Sequence, residues 1–163
     1  MRKETKRKIW TYVIAIAIPL AVGILSSLLT RENMGIYQEV KTPPLSPPSI
    51  LFPVVWTILY VLMGISSGMI WTMRESDPKQ ADTGICFYAI SLAFNFAWSI
   101  FFFNMRWFLF SFVWLLALLY LIVRTILSYR KVHPVAAYLQ IPYAVWVAFA
   151  GYLNIGIWFL NRA

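Results

Sequence analysis

The sequence predicts an all-α membrane protein, a bundle of five transmembrane helices, and three observations predict it. Hydrophobic residues make up 61% of the 163-residue chain and charged residues 12%, where soluble domains hold roughly half and a quarter. The apolar residues gather into five runs, each close to the roughly 20 residues that cross a hydrocarbon core. The six acidic residues, Glu4, Glu32, Glu39, Glu75, Asp77 and Asp82, all fall between those runs.

Residues 1–8 form a basic segment carrying Arg2, Lys3, Lys6, Arg7 and Lys8. The first helix is expected at 9–29. Its apolar stretch is too long for a cleaved signal peptide, and no A-x-A site follows it. The remaining spans are expected at 50–73, 84–103, 107–128 and 134–160, all within a single domain covering 1–163. Pro19, Pro53 and Pro142 fall inside spans, where neighbouring helices can satisfy the freed carbonyls, and each is expected to mark a kink. One long connection, 30–49, contains Pro43-Pro44-Leu45-Ser46-Pro47-Pro48. Loops of that length are usually functional or disordered, and the prolines stiffen this one toward polyproline geometry. It reads as a rigid spacer or as a lid over one end of the bundle.

Charge sets an expected orientation. Arg2, Lys3, Lys6, Arg7, Lys8, Arg74, Lys79, Arg124, Arg130 and Lys131 fall on one side, against Arg31, Lys41, Arg106 and Arg162 on the other. The positive-inside rule then places the N-terminus in the cytoplasm and the C-terminus outside. These basic residues flank apolar segments and form no stripe, so the net charge of +8 points to membrane orientation and no nucleic-acid partner.

Catalytic constellations are sparse. No Asp or Glu lies in a span, which removes the paired carboxylates of acid–base catalysis or a proton relay. The one histidine, His133, precedes Pro134 in a short connection and reads as solvated, so no metal site is expected. No GxSxG, HExxH, CxxC or phosphate-cradling loop occurs. The lone Cys86 excludes an intrachain disulfide. Arg124 is the only charge within a span, close enough to its end to snorkel.

Aromatic residues carry the positive signal. At about 100° per residue, Pro53, Trp56, Tyr60, Met63 and Ser67 fall within about 80° on the second helix. Asn95, Trp98 and Phe102 fall within about 60° on the third. Tyr143, Trp146, Ala150, Leu153 and Asn154 share about 100° on the fifth. Trp10, Tyr12, Trp71, Trp107 and Trp158 fit the interfacial belt, whereas Trp56, Trp98 and Trp146 lie deeper. An aromatic stripe of this kind is either core or cofactor box. Converging, the three faces would wall a cavity suited to a large planar ligand by stacking. Ala89, Ala93 and Ala97 lie about 170° from the Asn95 face and are expected to form a homodimer seam by close backbone approach. Gly64-x-x-x-Gly68 is the same device, serving either an internal contact or a second seam.

Three motifs resemble one family. They are Pro47-Pro48 followed by Pro53-Val54-Val55-Trp56-Thr57-Ile58-Leu59-Tyr60 with Met63-Gly64; Asn95-Phe96-Ala97-Trp98-Ser99 with Phe102-Phe103; and Pro142-Tyr143, Trp146, Phe149-Ala150 and Leu153-Asn154. Together they resemble the second-, third- and fifth-helix signatures of the TspO/MBR (translocator protein, tryptophan-rich sensory protein) family. The resemblance implies a bacterial plasma-membrane member, commonly dimeric, acting as a receptor or sensor with no required cofactor. The implied ligands are protoporphyrin IX, haem and sterol-like lipids. It implies a ligand pocket under the first loop, lined by Pro47, Trp56, Tyr60, Asn95, Trp98, Trp146, Phe149, Ala150 and Leu153, with Tyr37 from the loop. It also implies two alternatives: light-dependent porphyrin degradation at Trp56 and Trp146, and transport of porphyrin or sterol. Leu45 stands where the family often has Trp, which predicts a softer pocket wall. The sterol motif at the end of the fifth helix is absent, while Leu118 to Arg124, centred on Tyr120, fits its pattern on the fourth.

Overall fold

The computed structural model describes residues 1–163, and helices account for its regular structure. Helix α1 spans Arg2–Thr30 and passes through a single 3-10 turn, Arg31–Asn33, into the loop. Inside the loop lies a one-turn helix, α2, Ile36–Glu39. The other long helices are α3 (Leu51–Met73), α4 (Pro78–Ser99), α5 (Phe108–Val132) and α6 (Pro134–Asn161). All five long helices are long and apolar enough to cross a membrane. Around the bundle the order is α1, α3, α6, α5, α4, and the ring closes through a thin seam between α4 and α1. Helix α1 is the least embedded, with 17% of its most apolar window buried against 28–39% for the others.

Two helix starts and the role of one proline differ from the hydropathy reading, each for a local reason, and α5 runs past its expected end at 128 to Val132. The basic segment 1–8 is helical, so α1 begins at Arg2 and projects beyond its apolar window. Helix α4 begins at Pro78 and not at 84. The Asp77 carboxylate accepts from Gln80 N at 3.2 Å, with Pro78 at the first position, an N-cap that hydropathy does not register. Pro53 is the third residue of α3, where its missing N–H would be unpaired anyway. It therefore marks a helix start and no kink, whereas Pro19 and Pro142 do sit inside helices.

Glycine sets the α1–α3 contact. A Cβ on Gly64 would stand 2.8 Å from Ala15 O and would also overlap the Ile16 backbone, while one on Gly68 would stand 2.7 Å from the Tyr12 ring. Ala15 O is the carbonyl that Pro19 deprives of its helical partner. Gly64-x-x-x-Gly68 is thus an internal seam, so of the two stripes of small residues only the alanines of α4 face outward. Ala89 and Ala93 are exposed and Ala97 half-buried.

Buried polar pairs fix the other helices. Ser66 Oγ donates to Ala136 O at 2.7 Å and accepts from Gln140 Nε2 at 3.1 Å, joining α3 to α6. Trp114 Nε1 donates to Phe94 O at 2.8 Å, joining α5 to α4, with the Phe94 and Trp114 rings stacked 4.2 Å apart. Asn154 on α6 accepts from Trp98 Nε1 of α4 at 3.1 Å and donates to Phe108 O of α5 at 2.6 Å. Without water nearby, such groups must pair within the protein. Arg124 stays with its own helix end, donating to Tyr120 OH at 2.9 Å.

Candidate functional site

The loop 31–50 is fastened at several points over the end of the bundle where α3 begins. Asn161 Oδ1 accepts from Lys41 N at 2.9 Å, and its Nδ2 donates to Lys41 O at 2.8 Å. Tyr152 OH donates to Pro44 O at 2.7 Å. Arg106, at φ 54° in the turn after α4, forms an ion pair with Glu39 at 2.6 Å. Pro43 sits against Gly156, where an added Cβ would stand 2.6 Å from its Cγ. The loop is therefore clamped mainly to α6. It is not polyproline throughout, since Arg31–Asn33 and Ile36–Glu39 are helical turns.

Beneath it lies a cavity of about 240 Å³ between α1, α3 and α4. Trp56 and Tyr60 form one wall, their rings stacked at 5.6 Å. Trp98 forms another, held by its bond to Asn154. Tyr37 and Phe52, stacked at 4.9 Å, lie across the loop side. Here α4 widens into a π-helical turn, Ile100–Asn104, a device often found at functional sites. It swings Phe103 onto the cavity and buries Phe102 against Trp98 at 5.3 Å. No charged side chain lines this space. It offers aromatic faces and scattered hydroxyls, which suits a flat apolar ligand and provides no acid–base pair.

The predicted residues divide between this lining and the packing behind it. Tyr37, Trp56, Tyr60 and Trp98 line the cavity. Asn95 lies one bond behind, donating through Nδ2 to Tyr60 OH at 3.3 Å. Trp146 stands on the far side of Phe52, 6.0 Å from it edge to face, and packs on Phe149 at 5.5 Å. Ala150 and Leu153 are buried on α6, and Pro47 is half-buried in the loop; none of these three lines the open space. The aromatic faces of α3, α4 and α6 do converge, as in the Trp56–Tyr143 contact at 6.2 Å. Their side chains fill most of the shared volume, which shifts the open space toward α1. Leu45, in a positive-φ turn at 66° and 84% exposed, walls nothing.

Sequence reasoning missed the α1 wall and Phe52. Leu20, Gly23, Ile24 and Ser27 all line the cavity, and their i, i+3, i+4, i+7 spacing is one helix face. The stretch 13–30 of this span holds no aromatic residue, so that face draws no notice. Gly23 is required there, because a Cβ would overlap the Tyr60 ring. One further feature is visible only in three dimensions: the indole N–H of Trp146 is buried without a partner.

Comparison with known proteins identifies the family. The profile of the TspO/MBR family matches residues 15–159. The tryptophan-rich protein TspO of Chlorobaculum tepidum is 36% identical over 160 residues, covering 95% of this chain and 98% of that protein. The translocator protein of Bos taurus is 36% identical over 146 residues, covering 89% and 86%. The tryptophan-rich protein TspO of Archaeoglobus fulgidus is 33% identical over 150 residues, covering 91% and 95%. Five membrane-length helices and a match over nearly the whole chain lead to one conclusion: this chain belongs to the TspO/MBR family of integral membrane proteins.

Proposed function

We propose that this protein is a receptor or sensor that binds a porphyrin, such as protoporphyrin IX or haem, in the cavity between α1, α3 and α4 under the loop. Family membership supports a membrane sensor or receptor role. The observation that carries the ligand class is the uncharged, aromatic-walled space formed by Trp56, Tyr60 and Trp98. At about 240 Å³ it falls just below the roughly 300–1,000 Å³ of small-molecule sites, so a tetrapyrrole needs more room. Phe52 is the side chain that divides the cavity from Trp146. Its rotation would join the two and give the unpaired Trp146 N–H a ligand acceptor, since a buried donor without a partner costs about 1–3 kcal/mol. This would bring Trp146 and Phe149 into the site that Tyr37, Trp56, Tyr60 and Trp98 already line.

The proposal extends to the chain's setting: a bacterial plasma membrane, N-terminus cytoplasmic, as a homodimer joined along Ala89, Ala93 and Ala97. The test of function is quenching of tryptophan fluorescence by protoporphyrin IX in detergent, first dark and then illuminated, with pigment spectra recorded. Saturable quenching without pigment loss supports binding alone. Pigment loss under light would instead support photo-oxidative turnover, for which Trp56, in the cavity wall, is better placed than Trp146. The absence of saturable quenching would refute the proposal.

A further inference from the structure

A second and third cavity lie at the opposite end of the bundle and share two residues. One, of about 360 Å³, runs along the thin seam between α1 and α4, walled by Ile14, Ile18, Ile85 and Tyr88 with Thr11 and Trp71 at its end. The other, of about 260 Å³, is polar and begins where the first stops, since Thr11 and Trp71 line both. Arg7, Lys8, Arg74 and Glu75 surround it, three cations against one carboxylate. Arg74 is held at the junction, its guanidinium 4.2 Å from the centre of the Trp71 ring. The ion pair of Lys8 with Glu4, at 3.9 Å and more than 60% exposed on both sides, leaves Lys8 largely free to meet another anion.

We propose that these two cavities form one site for an anionic phospholipid, its phosphate at Arg7, Lys8 and Arg74 and one acyl chain in the groove. Length supports this occupant. From Arg7 to Ile18 helix α1 rises about 16 Å at 1.5 Å per residue, which matches half of a roughly 30 Å hydrocarbon core. Chemistry supports it as well. Three isoleucines, Ile14, Ile18 and Ile85, line the groove with Ala15. Its two aromatic residues, Trp71 and Tyr88, are not stacked on one another as Trp56 and Tyr60 are under the loop, so the groove fits a flexible chain better than a flat ring. The continuous step from apolar groove to cationic rim is the profile of an amphiphile with a negative head. Juxtamembrane Lys and Arg side chains attract anionic lipid, and here they converge at the mouth of a groove that holds its tail. The site would fill the thinnest contact in the ring, the one between α1 and α4.

The test is native mass spectrometry of the purified protein in detergent, with phosphatidylglycerol or phosphatidylcholine of identical chains as the added lipid. The expected result is one phosphatidylglycerol retained per chain, with at least fivefold preference over phosphatidylcholine. Combining Arg7→Gln, Lys8→Gln and Arg74→Gln should bring the ratio to about one, while Arg74→Lys alone should preserve it. Ile14→Trp with Ile18→Trp, both lipid-exposed positions, should reduce retention of both lipids. Far-UV circular dichroism and a monodisperse elution peak show that each variant remains folded. Equal retention of the two lipids by the parent protein would overturn the proposal, as would a preference that survives removal of the three charges. Stoichiometric displacement of the lipid by protoporphyrin IX would also overturn it, because the groove would then accept a ring.

Discussion

Asn161, the last residue of α6, holds the Lys41 peptide by both of its hydrogen-bonding groups: the side-chain oxygen accepts from Lys41 N at 2.9 Å and the amide donates to Lys41 O at 2.8 Å. This two-point clasp fixes the loop that covers the cavity. Asn161→Ala should release it. Each bond is worth about 0.5–1.5 kcal/mol, and exposure puts this pair near the low end, about 1 kcal/mol in all. Hydrogen exchange at the Lys41 amide should accelerate roughly fivefold, since 1.4 kcal/mol is tenfold. Unchanged exchange would mean that Tyr152 and the Arg106–Glu39 pair hold the loop alone.

Gly64→Ala should destabilise the bundle by about 1–3 kcal/mol, the usual range for overpacking, because its Cβ would press on Ala15 O and the Ile16 backbone. Gly35→Ala is the control, with nothing within 4 Å of the added carbon. Thermal denaturation in detergent should show a lowered Tm for the first and little change for the second. Equal Tm values would refute the glycine seam.

Much of the bundle is legible in the sequence because bilayer thickness fixes helix length and unpaired backbone is excluded from lipid. Apolar windows alone locate α3 and α6 to within a residue or so at either end. The start of α4 is not found that way, because Asp77 and Pro78 signal it through capping chemistry. The site is partly legible for a related reason. Trp56, Tyr60 and Trp98 announce themselves by residue type, whereas the α1 wall is formed by Gly23 and Ser27, which matter for the room they leave. Nor can periodicity say whether converging faces enclose a space or fill it. On the sequence alone Ala150 would be the position at which to block ligand; the structure moves that position to Ser27, exposed and on the cavity wall.

The proposed orientation has a direct test. Leu45 is 84% exposed at the loop surface, so Leu45→Cys in a Cys86→Ser background should react with a membrane-impermeant maleimide on intact cells. Labelling only after permeabilisation would invert the topology.

The proposed homodimer rests on the outward alanines of α4. Ala93→Leu adds bulk where two backbones would meet and should convert a dimer to monomer in detergent by light scattering. A persistent dimer would place the interface elsewhere than α4, and Gly64 and Gly68 would not replace it, being occupied by α1.

The central claim is that a flat porphyrin lies against Trp56 in the space bordered by α1, and protoporphyrin IX titration of three proteins tests it most directly. Trp56→Phe keeps an aromatic face but weakens stacking, a contact worth about 0.5–1.5 kcal/mol, so affinity should fall roughly 2- to 13-fold. Ser27→Phe should fill the cavity from the opposite wall and weaken binding further, by about tenfold or more at the 1.4 kcal/mol that tenfold represents. If both variants bind protoporphyrin IX as tightly as the parent protein, the ligand does not occupy this cavity.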